Sequence, residues 1–279
     1  MSNITQPIRR ITERLLSFQE RLKPFFAVLA LLLYITYLIL LTREINPRDD
    51  FSGFMVKALV LLSVPFSVIL LQELLELITI ISGSTLRSTA QQFQIVVLVL
   101  VRSFFKDFGQ LNSDVSEGVF GESVQKAVIK LIAIVVMTTL MIFFRQLSRN
   151  QAVKKYSEDG LRVNLYKEMS VILLVGIVLF DLIAVERSFL IMEFIRLVFT
   201  GMIIVDAAFF IVSIAGGHEF NKLMLEGGTV IGLIFARFAL FANNALAYVL
   251  STLGIAFATS LLFLFVWSHR QKHPGEIDW

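Results

Sequence analysis

No cysteine occurs in the 279 residues, which excludes a disulfide scaffold, a thiolate metal site and a cysteine nucleophile. Charge is also scarce: Asp, Glu, Lys and Arg make up 17% of the chain, against about 25% in ordinary soluble domains. Only three histidines are present, His218, His269 and His273, and no HExxH spacing occurs among them. Gly118 and Gly121 lack the Lys-Ser/Thr of a phosphate loop, and no serine sits in a nucleophile elbow. An enzyme is therefore not expected, and neither is a cofactor or a metal. What the chain has instead is apolar residues, 56% of the total, with a mean hydropathy of +0.77. That excess predicts an integral membrane protein.

The net charge of +3 does not point to nucleic acid, because the basic residues gather in clusters that abut apolar runs. These are Arg9, Arg10, Arg14, Arg21 and Lys23; then Arg145, Arg149, Lys154, Lys155, Arg162 and Lys167; then Arg270 and Lys272. The positive-inside rule places all of them on the cytoplasmic side. A bilayer core about 30 Å thick needs about 20 helical residues. Runs of that kind occupy Phe25 to Thr42, Met55 to Ser82, Ala127 to Phe144, Met169 to Glu186, Ser188 to Ala215 and Ala245 to Trp267. The first is read as a span rather than a cleaved signal, since it lacks a small-residue cleavage site. Gln91 to Phe108, cut by Arg102, and Leu225 to Ala242, with Gly227-Gly228 and Arg237, are marginal by composition. Both must cross if every basic cluster is to stay inside. The expectation is thus an all-α polytopic bundle of eight transmembrane helices with both termini cytoplasmic.

Ahead of the first crossing, Ile8, Ile11, Leu15, Phe18 and Leu22 share one helical face, with Arg9, Arg10, Arg14 and Arg21 off it and Pro7 suited to a first turn. This predicts an amphipathic helix over residues 1–23, lying on an anionic leaflet or packing against the bundle's cytoplasmic ends. The remainder divides near position 150 into units 24–150 and 151–279 with the same order of parts. In each, a helix enters from a basic flank and a second carries an acid, Glu73 or Asp206. A short third helix carries one arginine, in Leu98-Val99-Leu100-Val101-Arg102 or Leu233-Ile234-Phe235-Ala236-Arg237. The fourth ends in Phe144-Arg145-Gln146 or His269-Arg270-Gln271. Four crossings per unit make the copies parallel repeats about an axis along the membrane normal. The unit, with an acid some thirty residues before a lone arginine, resembles the phosphate-starvation-inducible PsiE family. Glu76 beside Glu73, against a lone Asp206, departs from strict repetition. The resemblance implies a stress-related bacterial inner-membrane protein and no specific activity.

Ionisable side chains inside a bilayer need a reason to be there. Counted from the expected helix ends, Glu73 and Arg102 lie at about 14 and 16 Å depth, and Asp206 and Arg237 at about 14 and 18 Å. Two acid and arginine pairs follow, with Glu76 and Asp181 left without an assigned base. One reading is an ion path lined by Glu76, Asp181, Glu73 and Asp206, with Arg102 and Arg237 as counter-ions, conducting or exchanging a proton or cation. The other is a non-transporting sensor or scaffold whose buried charges are structural pairs. A voltage sensor is disfavoured, since each unit has a single arginine without a three-residue repeat. Lys130, Glu193 and Arg196 lie near helix ends and are expected to snorkel, and Asn243-Asn244 to form a tight outer turn. Expected partners are the bilayer and anionic headgroups on the cytoplasmic face, not nucleic acid; self-association is left open. The cysteine-free chain makes topology easy to test. An impermeant outside reagent is expected to label Ser116→Cys and to leave Ser148→Cys untouched; the reverse pattern would overturn the eight-crossing layout.

Overall fold

A computed structural model describes residues 5–45, 51–80, 85–111, 122–150, 220–242 and 245–272, with isolated positions between 153 and 211. The crossings expected over 169–186 and 188–215 lie outside the described residues but for a few of those positions, and so do Asp181, Asp206 and the Asn243-Asn244 turn. Described segments are helical, with no strand among them. In chain order they are α1 (Thr5–Glu44), α2 (Phe51–Leu61), α3 (Ser63–Ile80), α4 (Thr85–Leu111), α5 (Glu122–Ser148), α6 (Phe220–Phe238) and α7 (Ala245–Lys272).

Five stretches are long and apolar enough to cross a membrane: Lys23–Glu44, Gly53–Leu70, Leu86–Asp107, Val124–Ser148 and Leu246–His269. The protein is membrane-embedded, and the side chains these helices leave uncovered fit that setting. Leu31, Leu32, Ile35 and Ile39 of α1, Ile129, Ile132 and Val135 of α5, and Leu253, Leu264 and Trp267 of α7 are all exposed. In water such faces would be a liability, whereas in hydrocarbon they meet a matching solvent. The 19-residue α6 is not one of the five, because Lys222, Glu226 and Arg237 put three charges in its length.

Helix boundaries differ from the expected ones in three places. The amphipathic stretch and the first crossing form a single helix of 40 residues that runs through Pro24. Proline costs one ladder bond there, to Glu20, without ending the helix. The second crossing is broken, α2 giving way to α3 at Leu62. The third, marginal by composition, is the most enclosed, with 67% of its span buried. Ala90, Phe93, Ile95, Val96, Val99, Leu100 and Phe104 cover more than half of its circumference with buried apolar groups, a wide core-facing side.

The chain forms two compact units, Met1–Thr79 with Val97–Ile134, and Ile80–Val96 with Val135–Trp279. In the first, α1 packs on α2, and Phe66 of α3 stacks on Phe105 of α4 with centroids 5.3 Å apart. In the second, α6 and α7 form a hairpin, closed by a tightening of the last turn of α6: Leu240 N bonds Arg237 O at 2.9 Å and Phe241 N bonds Phe238 O at 3.0 Å. Phe93 of α4 meets Phe144 of α5 edge-on at 5.3 Å, and Phe143 lies 6.1 Å from Phe263 of α7.

The hairpin crossing depends on glycine. A Cβ added at Gly232 would stand 2.5 Å from the Gly254 carbonyl oxygen and 2.7 Å from the Ala258 Cβ. One added at Gly254 would collide with Gly232 O and lie 2.8 Å from Ala236 N. Here backbone touches backbone, and nothing can yield without separating the helices. Gly228, a turn earlier, faces only the tip of the Leu261 side chain, which can rotate away. Gly232→Ala and Gly254→Ala should therefore each lower stability by about 1 to 3 kcal/mol, while Gly228→Ala should cost clearly less. Thermal unfolding of the three variants in one detergent would check the ranking.

Candidate functional site

The residues expected to carry function are the charges within the spans, and contacts in the first unit give their relative depths. Lys23, where the α1 span begins, pairs with Glu76 of α3, Nζ to Oε2, at 2.9 Å. Glu76 thus sits level with the start of the α1 span, at its rim. It has the basic partner that reasoning from hairpin neighbours did not supply. Arg102 of α4 donates through Nε to Ser67 Oγ of α3 at 2.6 Å. Ser67 is nine residues deeper than Glu76 along α3, about 14 Å at 1.5 Å per residue. The guanidinium thus lies inside the Leu86–Asp107 span, not at its end.

Glu73 is buried six residues from Ser67, about 9 Å along the α3 axis. Through Nε, Arg102 takes the serine hydroxyl. That hydroxyl also donates to the Ser63 carbonyl at 2.8 Å, so a chain of polar contacts runs from α4 to the first turn of α3. Nearer the other face, Lys130 Nζ of α5 meets Asp107 Oδ2 of α4 at 2.7 Å, with the lysine side chain only 13% exposed. Lys130 was expected to snorkel to water, and instead it ends on an acid.

In the second unit Arg237 is fully buried and donates through Nη2 to Gln92 Oε1 of α4. Gln92 is oriented in turn by its Nε2, which donates to Ser88 Oγ at 3.1 Å. Ser88, Thr89, Gln91 and Gln92 give this stretch of α4 a buried polar character, and α6 and α7 add Thr229, Ser251 and Thr259. Thr229 and Thr259 satisfy their hydroxyls on their own helices, at Leu225 O and Ile255 O. The expected partner of Arg237, Asp206, lies outside the described residues, and so does Asp181.

Arg102 and Arg237 are each the eighteenth residue of their helices.

Sequence reasoning identified the arginines and missed the neutral groups they bind. Two signals were available: the i, i+4 spacings Ser63/Ser67 and Ser88/Gln92, which place pairs of polar groups on one face of an oily helix. Among the described residues no group of three or more His, Asp or Glu side chains could hold a metal ion. Comparison with protein-family models, with curated proteins and with solved structures found no match.

The Arg102 contact has a measurable energy. Hydrogen bonds to charged groups contribute about 1.5 to 3 kcal/mol. In a double-mutant cycle, Ser67→Ala and Arg102→Gln should be non-additive by about 1 kcal/mol or more in unfolding free energy, and additivity would remove the bond from the account.

Proposed function

We propose that this chain is a bacterial inner-membrane protein of eight crossings, both ends cytoplasmic, acting as a non-transporting membrane sensor or scaffold. One observation carries the choice: Lys23, Glu76, Arg102, Asp107, Lys130 and Arg237, at or inside the spans, all engage a different helix from their own. A transport path requires ionisable groups that exchange partners with water or cargo, and groups locked between helices serve architecture instead. The basic clusters, held to one face, would bind anionic headgroups. A stress-related role follows only from the PsiE resemblance. The duplicated unit is supported by the matching positions of Arg102 and Arg237 in their helices.

Ion conduction is the second reading, favoured by Glu73, a carboxylate buried in the first unit. On that reading Glu73, Asp181 and Asp206 carry the path, with Glu76 at its cytoplasmic mouth and Arg102 and Arg237 as counter-ions. Proteoliposomes with a pH dye and imposed potassium gradients separate the two. The expected result is flux equal to that of empty vesicles for protons and several cations. Flux abolished by Glu73→Gln or Asp181→Asn, with thermal stability kept, would replace the scaffold by the path.

A further inference from the structure

The break in the second crossing is built from several independent features. Pro65 has no amide hydrogen, so the Leu61 carbonyl lacks its donor four residues on. Leu62 N turns back to Leu59 O at 3.1 Å, a three-residue step, and Phe66 N reaches Leu62 O only at 3.4 Å. The Ser67 hydroxyl competes for the Ser63 carbonyl at 2.8 Å, a contact that bends helices. The break falls inside the Gly53–Leu70 span, where a loosened ladder has no bulk water to repair it.

The two sides of the break belong to different neighbours. Before it, α2 packs on α1. Directly after it, Phe66 stacks on Phe105 and Ser67 accepts from Arg102, which fastens α3 to α4. Across these two arms, at the rim, stands the Lys23 and Glu76 pair, joining α1 to α3 at 2.9 Å with side chains 42% and 19% exposed. That pair is open to solvent, hence to ions and salt.

We propose that residues 62–65 form an intramembrane hinge between an α1–α2 arm and an α3–α4 arm, and that the Lys23–Glu76 pair is the latch that holds its angle. The device goes beyond the scaffold reading and does not depend on it, since a moving arm serves a sensor or a conductor alike; a flux result of either sign leaves it standing. Weakening the pair frees the arm, and the proline keeps the freed arm from locking straight.

The test uses the full chain in nanodiscs with spin labels at Phe51→Cys, on the far end of α2, and Lys106→Cys, on α4. Phe51 is eleven residues from Leu62, about 16 Å, so a swing of about 20° moves the label by about 6 Å. A single narrow distance is expected for the parent. Glu76→Gln, nearly isosteric, should broaden or shift it by several ångströms. The swap Lys23→Glu with Glu76→Lys should restore the parent distribution, and adding Pro65→Ala to Glu76→Gln should suppress the broadening. Raising the salt concentration on the parent should reproduce the Glu76→Gln result without any mutation in the latch, which covers the case in which a variant fails to fold. An unchanged distribution in both Glu76→Gln and high salt would overturn the latch, and broadening that persists with Pro65→Ala would overturn the hinge.

Discussion

A guanidinium inside a membrane span cannot be left to lipid, and this constraint organises the first unit. Translocon scales put the cost near 2.5 to 3.5 kcal/mol at a helix centre, so the chain must provide a partner at that depth. The partner is Ser67, and the bond fixes how far α3 slides along α4. Once that register is set, Phe66 falls against Phe105 and Glu76 comes level with Lys23. The same serine draws on the Ser63 carbonyl beside Pro65, so satisfying the arginine and loosening the helix are one event.

The α6–α7 hairpin is held by another kind of force. Hydrocarbon gives no hydrophobic drive for helices to associate, so they must gain by contact density or by polar bonds. Gly232 and Gly254 supply contact density by bringing backbone to backbone, with Ala236 and Ala258 beside them. On the same helix, Arg237 reaches Gln92 of α4. One helix therefore presents small residues to α7 and a long polar one to α4, which explains why its composition reads as neither a clean span nor a soluble helix.

Much of the layout was legible because apolar runs and basic flanks are long-range signals that tolerate errors of a few residues. The helical class, the crossings near Phe25, Ala127 and Ala245, and the importance of Arg102 and Arg237 came from a charge standing out in an oily run. Their partners were not legible, since depth counted from helix ends carries every boundary error into the pairing. Glu73 and Arg102 agreed by that count within about 2 Å, and the count had no place for the Ser67 hydroxyl that Arg102 meets. Ser67 is easily passed over because serine is common in membrane helices, and only its four-residue spacing from Ser63 marks it. Lys23 was assigned to the surface cluster, though helical neighbours need not be consecutive. Gly227-Gly228 counts as a weakness of the span by composition, whereas the four-residue spacing of Gly228 and Gly232 also signals close packing.

The identity of the arginine's partner also bears on what the bundle can carry. A carboxylate would cancel the charge of Arg102, but a serine hydroxyl solvates it and leaves it whole. The positive charge of Arg102 therefore stays within the span, held to α3 by a neutral group. A cation passing beside it would meet a like charge. The arrangement therefore favours helices tied through Arg102 over a cation route beside it.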